Sequence, residues 1–587
     1  MFFLKEAYNG LKKKNIIYIE NFLDPITKSK LLEKKFKIKQ FNIQDTKFQI
    51  SKDIKLCNDL NKRFLNDLRN FYKIQYNKKV DYKILNFLIG KWSYSYISNF
   101  IYKYKLLKFI KKKYPKFAVI NFSSNKNYEN EMEKYYASPA SIFFINKFYS
   151  DIAYDVKINL LKVNYEKVKN YIFPHVPLVT NKRNFIFHGF FLKSLISFIS
   201  VKISNLVYGR SIFLHDHTLN FISTLKLIYR SKFKFSYLFI SNKGKTSYKK
   251  LDHNIFKFLK NKKTNDKLYN LVLKNLEFYI PKEFQEYFYK LAKINYLNKI
   301  KAKNMLVSKS LSADDHLLKI YLLNNFKSTK ILGYQHGGGY GQEKNLFQEK
   351  YERSISNHFL SWGWKGQKVI PMPMQYPKTL KKFKTKIKKK YGSFCLFVSW
   401  SMNHNYFSHS KMPETYLRDS LIPSYKFLEK ISKKKETYIR LPPFPKFWKE
   451  DLFLKKLKNI KFDLHEYEYE KMAFASDFVV NNFFNTTALQ SISLNIPTFI
   501  CCDKNYIEFN SVAKKYLNEL ISANIFFYNF NDLYNFLNKI DYDVENWWNS
   551  KKIQKIKENF SKHYCLRSNS YQKVWIEKLT RLNKSLI

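Results

Sequence analysis

Glycine is scarce in this chain, with 13 among 587 residues, and proline is nearly as rare at 15. Cysteine numbers five, and Cys57, Cys395, Cys501, Cys502 and Cys565 show no framework spacing. That excludes a small disulfide-stapled scaffold and fits a reducing cytoplasm. Acidic residues are in short supply too: 46 Asp and Glu stand against 106 Lys and Arg, a formal net charge of +60. No run of about 18 uncharged apolar residues occurs, so no membrane-spanning helix is expected. The nearest, Phe190–Val207, is interrupted by Lys193 and Lys202. It reads as a buried helix with its lysines at the rim, in preference to an interfacial amphipathic helix. Met1–Glu20 lacks the apolar core and cleavage site of a signal peptide. The expected location is cytoplasmic, with peripheral attachment at the inner membrane face as an extension of that reading.

Apolar material is abundant by contrast. Hydrophobic residues make up 45% and aromatics 18%, enough for packed domains and too much for a disordered chain. The length exceeds one ordinary core, so two or more domains are expected. The positive charge attracts polyanions such as an anionic membrane surface, nucleotides or acidic glycans. Much of it is compositional, because the lysines are interleaved with Asn, Ile, Phe and Tyr along the whole chain. Neither the paired Cys/His spacing of zinc modules nor the aromatic sheet motif of RNA-recognition domains is visible, so no specific nucleic-acid partner is expected.

The first 300 residues give few turn signals; Phe117–Phe122, Asn184–Gly189 and Phe235–Ile240 are candidate buried strands, and Asn242–Ser247 a turn. The pattern sharpens from residue 303. Asn304–Ser308 reads as a strand, Ser312 as the cap of a helix to about Asn325, Lys330–Gln335 as the next strand and His358–Trp362 as another. A Pro-punctuated, very basic stretch from Pro371 to Lys390 reads as a linker. Strands are then expected at Phe394–Trp400, Glu436–Leu441, Asp477–Asn481 and Pro497–Cys502. Helices are expected near Thr415–Lys430, Phe447–Lys458, Tyr467–Ala475, Thr486–Leu494 and Tyr506–Leu520. Such alternation implies a parallel sheet covered on both faces.

Seven of the 13 glycines fall between Gly333 and Gly366. In a glycine-poor chain that density needs a local cause, and His336-Gly337-Gly338-Gly339-Tyr340-Gly341 supplies one. Glycines after a strand can expose backbone N–H groups to an anion. An imidazole at a strand's carboxyl end can take a proton from a hydroxyl or hydrogen-bond a phosphate. A lipase-type oxyanion loop also has the His-Gly-Gly-Gly form, but no G-x-S-x-G nucleophile elbow accompanies it here. Glu343, Glu349 and Glu352 follow the glycines, and Glu352 is the one chosen to orient His336 or act as a base. A second constellation is Asn485-Thr486-Thr487, a helix start whose hydroxyls and free N–H groups suit phosphate. A third is Arg440, closing a strand before Pro442-Pro443, where a guanidinium could face a diphosphate. His404 and His409 lack nearby carboxylate or thiol partners, so no metal site is expected.

The stretch Gln335–Gly341, then Glu349-x-x-Glu352, then Ile355-Ser356-Asn357-x-Phe359-Leu360-Ser361-Trp362-Gly363-Trp364, resembles a family of bacterial transferases found among surface-polysaccharide and lipopolysaccharide O-antigen genes. The family pattern is approximately Q-H-G-G-x-Y-G, h-E and I-S-D-x-F-L-T-W-G-W. Arg440-Leu441-Pro442 resembles its R-x-x-P strand end, and Asn485–Leu489 with Asn495–Thr498 its N-x-T-T-x-L-E…N-I-P-T segment. This chain departs in having Asn357 for Asp, Ser361 for Thr and Gln490 for Glu, so no charge-dependent role is assigned to positions 357 and 490. The resemblance covers about residues 300–505. The family is similar in turn to GT-B-like capsule and teichoic-acid polymer transferases.

The resemblance implies an α/β, GT-B-like fold: two Rossmann-like domains facing a central cleft. Residues 1–370 would form the acceptor-side domain, with room for an extra N-terminal subdomain. Residues 371–390 would be the basic linker, 391–545 the donor-nucleotide domain, and 546–587 helices packing back on the first domain. His336 and Glu352 would be catalytic. Gly337, Gly338, Gly339, Tyr340, Gly341, Arg440, Asn485, Thr486 and Thr487 would bind the donor's phosphates. The expected partners are a nucleotide-sugar donor and a lipid-linked or glycan acceptor, with no cofactor beyond the donor itself. The alternatives are a phosphoryl-type polymer transferase using a CDP-alcohol donor, and a non-catalytic protein that binds polyanions or membrane surfaces.

Overall fold

The computed structural model of the chain describes residues 17–19, 37–39, 47–113, 115, 118–123, 148–164, 188–215, 221–240, 253–293, 304–374, 380–400, 420–442 and 454–585, except 263, 282, 310, 312–315, 326–327, 456, 458 and 505–506. Two six-stranded sheets dominate it. The first contains β1 (Ile212–His215), β2 (Phe235–Tyr237), β3 (Asn304–Ser308), β4 (Thr329–Tyr334), β5 (His358–Ser361) and β6 (Val369–Pro371). Its spatial order is β6-β5-β4-β3-β1-β2. The second contains β7 (Cys395–Val398), β8 (Thr437–Arg440), β9 (Ile460–Phe462), β10 (Phe478–Asn481), β11 (Thr498–Cys501) and β12 (Phe526–Phe527), in the order β9-β8-β7-β10-β11-β12. Every pairing in both sheets is parallel. Each is doubly wound, with the order reversing at β1/β3 in the first sheet and β7/β10 in the second. Ligands of such sheets bind outside the carboxyl ends near that reversal.

The residues explain the layering. The central strands β7 and β10 are buried along their whole length, which only a near-continuous apolar run allows. In the first sheet, Phe213, Leu306 and Ile331 face one way, into a core made with the helices α1 (Lys47–Tyr76) and α2 (Lys91–Lys113). Their neighbours Ile212, Leu214, Met305, Val307, Leu332 and Tyr334 face the opposite way, into a core continuous with that of the second sheet. This is the two-residue alternation of a strand read on both sides. The helices of residues 47–113 thus pack on one face of the first sheet and share its core.

Several expectations need correction. The stretch expected as a linker is mostly helix, Leu380–Tyr391, packed on the helix Tyr469–Ala475. Its buried Leu380 and Ile387 give the basic run an apolar inner face. Within Asn184–Gly189, read as a strand, His188 and Gly189 open the helix α3 (His188–Tyr208), and residues 184–187 lie outside the described residues. Strands β1, β6, β9 and β12 were not anticipated. The Ser312 cap, the Asn242–Ser247 turn, Pro443, His404 and His409 lie outside the described residues, as does most of Phe447–Lys458. Helix α3 reverses the expected burial: its serines face inward and much of its apolar face is exposed.

The chain's end returns to the first sheet. The helix Tyr571–Ser585 places Trp575 edge-on to Tyr334 at 5.0 Å, and the Trp575 indole N–H donates to the Pro373 carbonyl at 3.1 Å. Among the described residues no helix is long and apolar enough to cross a membrane.

Candidate active site

The site grows from the end of β4. Gln335 follows it, fully buried, and its amide is spent on structure. Its Oε1 accepts from the Trp362 backbone N–H and the Trp364 indole, each at 2.9 Å, and its Nε2 donates to the Gly337 carbonyl at 3.0 Å. The start of the glycine turn is therefore anchored to the strand end beside it. Gly341 has φ +71, and a Cβ there would lie 2.4 Å from the Trp364 ring, so both conformation and space require glycine.

Gly338 is constrained from across the crevice. A Cβ on it would lie 2.5 Å from the Asn485 carbonyl carbon and 2.8 Å from the Thr486 nitrogen. Its N–H donates to Thr486 Oγ1 at 3.0 Å. Thr486 opens the helix α4 (Thr486–Ser493) directly after β10. The glycine turn and the threonine-tipped helix, 148 residues apart in sequence, thus meet at the carboxyl edges of the two sheets. A second tie lies beside it: Asn510 Nδ2 donates to the Gly341 carbonyl at 2.8 Å, and its backbone N–H to that of Gln342 at 2.8 Å.

Behind the turn stands a group of buried carboxylates on the helix Phe347–Ile355 and just before it. Glu352 is 1% exposed, and its Oε2 accepts from the Tyr340 hydroxyl at 3.1 Å. Its Oε1 lies 3.7 Å from Nδ1 of His336, whose side chain is 27% exposed. Burial, then the adjacent Glu352 charge, pushes the Tyr340 phenol well above its ordinary range. Tyr340 therefore stays protonated and acts as a donor to Glu352. Glu349 accepts from the Gly341 N–H at 2.7 Å and from Arg353 at 2.9 Å, yet burial raises its carboxyl above the usual value. A carboxylate behind Nδ1 favours the tautomer with its proton there, which leaves Nε2 as the basic nitrogen.

On the second sheet's side the described groups nearest the turn are neutral. Asn485 caps α4 by accepting from Ala488 N–H at 3.2 Å. The Thr487 hydroxyl lies 2.6 Å from both Asn481 Oδ1 and Asn485 Oδ1. Asn481 ends β10, at the strand-order reversal, and is fully buried, while its Nδ2 has no hydrogen-bond partner among the described residues. A buried amide donor left unpaired is costly, so this atom is suited to an incoming acceptor. Next to it, Asn482 accepts from the Trp400 N–H at 2.6 Å, and Trp400 stacks on Phe483 at 3.9 Å.

The structure therefore brings His336, Glu352, Tyr340, the glycines, Asn485, Thr486 and Thr487 into one region. It revises two of the roles foreseen. Two of the turn's N–H groups, those of Gly338 and Gly341, are already engaged by Thr486 and Glu349 and are not open to an anion. Arg440 is held within its own domain: it donates to Asp463 at 2.5 Å and to the Tyr467 carbonyl at 3.1 Å, and is 9% exposed. Asp463 in turn accepts from the His465 N–H. These bonds, both made by Nη1, tie the guanidinium to the loop after the neighbouring strand. Asn357 pairs with the backbone of Ile331 through both its side chain and its N–H, and Gln490 donates to Glu470 on a neighbouring helix. Both departures from the family pattern are thus structural positions. Asn481 was visible in sequence only as one of two asparagines at a strand end; its unpaired amide could not be read there. Among the described residues no group of three or more His, Cys, Asp or Glu is arranged to hold a metal ion.

Two doubly wound parallel sheets, joined at their carboxyl edges, give the chain an α/β, GT-B-like fold. The chain belongs to the LIC12162 family of transferases, whose model matches residues 5–579. No curated protein matches it significantly. Solved structures similar to it include the wall teichoic acid polymerase TagF soaked with CDPG, at 10% identity and a TM-score of 0.35, covering 68% of this chain and 99% of that one. HepE from Anabaena, in complex with UDP and glucose, is 7% identical with a TM-score of 0.35 over 63% of this chain and 99% of its own. A glycosyltransferase from Rickettsia africae ESF-5 is 11% identical with a TM-score of 0.30, covering 66% and 93%.

Proposed function

We propose that this transferase moves a sugar from a nucleotide-activated donor to a hydroxyl of a lipid-linked or glycan acceptor in surface-polysaccharide synthesis. The observation that carries the reading is the meeting of His336, backed by buried Glu352, with the start of α4 across the Gly338–Thr486 hydrogen bond. His336 Nε2 takes the proton of the acceptor hydroxyl. The acceptor oxygen forms a bond to the sugar's anomeric carbon as the bond to the donor's phosphate oxygen breaks, and the nucleotide leaves with that electron pair.

Electrostatics divides the crevice between the two substrates. Glu343, Glu349 and Glu352 lie behind the glycine turn, and their charge disfavours phosphate on that side. The donor's phosphates then sit toward α4, where the helix dipole and the Asn481 amide favour an anion. Tyr340 and the glycines shape the wall that holds His336 in place.

A thermal-shift series with CMP, CDP, UDP and GDP tests the reading. One nucleotide should raise the melting temperature in a saturable way, since a ligand that binds only the folded state stabilises it. Stabilisation by none of the four, with turnover unaffected by His336→Ala, would overturn it. A CDP-specific shift with release of CMP on turnover would instead select the phosphoryl-transfer chemistry.

A further inference from the structure

Helix α3 is built the wrong way round for a globular protein. Of the four serines in its 21 residues, Ser197, Ser200 and Ser204 are buried and turned inward. They are bonded to the edge of the first sheet. Ser197 Oγ accepts from the Phe239 N–H at 3.0 Å, and Ser200 Oγ accepts from the Tyr237 N–H at 3.1 Å. Ser236 Oγ donates to the Ser200 carbonyl at 3.1 Å, and Ser204 Oγ donates to the Arg210 carbonyl at 3.0 Å. The helix thus stands where another strand would, and its hydroxyls cap the donors of β2 and the residues after it. Rotating it to hide its apolar side would break these bonds and strand the N–H groups of Tyr237 and Phe239.

The outward face is left apolar as a result. Leu192, Leu195, Phe198, Ile199, Leu206 and Val207 follow helical spacing, and exposure reaches 58% at Phe198 and 84% at Leu206. Contiguous exposed apolar surface of this kind marks an interaction site. The charge around it selects the partner. Residues 188–240 hold seven Lys or Arg and a single acidic residue, Asp216. Lys202 is exposed beside the stripe, with its ammonium 4.7 Å from the Phe198 ring. Apolar side chains bordered by lysines suit the boundary between acyl chains and anionic headgroups. The helix lacks the apolar length and continuity to span a bilayer.

The geometry points to α3 as a membrane-docking helix that lies in the headgroup layer of an anionic bilayer, with Leu195, Phe198 and Ile199 inserted. The inference is independent of the sugar-transfer reading.

The test is co-sedimentation of the full chain with vesicles of phosphatidylcholine alone or mixed with phosphatidylglycerol, at low salt and at 0.5 M salt. Charge alone would attract so basic a protein, so the comparison is between two variants that each lower the net charge by two. Leu195→Glu/Phe198→Glu alters the apolar stripe, and Lys389→Glu alters an exposed lysine on the helix Leu380–Tyr391. Wild type and Lys389→Glu should bind mixed vesicles at both salt concentrations, while the double variant loses at least tenfold in partitioning and keeps its nucleotide-induced thermal shift. Equal binding by the two variants would overturn the proposal. So would a wild-type chain that ignores vesicles but dimerises in solution through this face, with Leu195→Glu/Phe198→Glu monomeric.

Discussion

The two carboxyl edges that meet in the crevice have opposite chemical character. The first sheet's edge is ionisable: His336, Glu352, Glu349 and the buried Tyr340 are linked in one group. Among the described residues, the second sheet's edge presents the neutral side chains Asn481, Asn485, Thr486 and Thr487, and the nearby Arg440 guanidinium is paired with Asp463. An edge with a carboxylate-backed imidazole can move protons. An edge of amides, hydroxyls and a helix N-terminus can hold charge but cannot exchange it. The division teaches that the labour of the proposed reaction is split by sheet, with acceptor activation on one side and leaving-group binding on the other.

Four substitutions would break or sharpen that contrast. The largest effect belongs to His336→Ala, which should lower turnover by about 10³-fold while leaving nucleotide affinity within about twofold. A parallel loss of nucleotide binding in calorimetry would erase the distinction between the edges. Glu352→Gln comes next. It should cost roughly 10- to 100-fold in kcat, because the imidazole loses the carboxylate that sets its tautomer. Its pH–rate profile should move on the basic-group limb, a change that a merely structural defect would not produce.

On the neutral edge, Asn481→Ala should weaken the donor nucleotide about tenfold, or about 1.4 kcal/mol, with kcat changed less than KM. Titration calorimetry reads this directly, and a pure kcat effect would place Asn481 outside the donor site. The smallest effect on turnover is expected far from both edges. Lys103 is buried in the helical core, bonded to Asn99 at 2.7 Å, and burial lowers its ammonium to about 7. The unfolded chain then holds this proton more tightly than the folded one, so the fold gains stability as pH rises from about 7 toward the ordinary lysine value. Lys103→Met should remove that gain, on the order of a few kcal/mol, raising the melting temperature at pH 7 and flattening its rise up to pH 10. Turnover should stay at the wild-type level.

The four inner strands of the second sheet were legible because they are short buried apolar runs in a local alternation with helices, whereas its outer strands β9 and β12 were not. Phe394–Trp400 contains β7 and Pro497–Cys502 contains β11. The first sheet was only half legible. Its strands β2 and β3 are separated by residues 238–303, which contain four helices among the described residues, so no local alternation announces that they belong together. The glycine turn was legible as a concentration of a scarce residue, but not the use to which its N–H groups are put. Gly338 and Gly341 look equivalent in sequence; one is shaped by Thr486 across the crevice and the other by Trp364 beneath it. Arg440 looked like a phosphate ligand because its buried partner, Asp463, lies 23 residues on, at the end of the next strand.

Sequence by itself determined the parallel-sheet α/β class of the later half, the position of the glycine turn, and the helix start at Asn485–Thr487. These follow from local rules of periodicity, capping and backbone freedom, which need no distant partner. Only the tertiary structure decided that turn and helix share a hydrogen bond, that the Asn481 amide has no partner among the described residues, and that α3 turns Ser197, Ser200 and Ser204 inward. Periodicity shows that a helix has two faces, but which of them meets the protein depends on which unpaired backbone groups lie opposite it, and those belong to strands elsewhere in the chain.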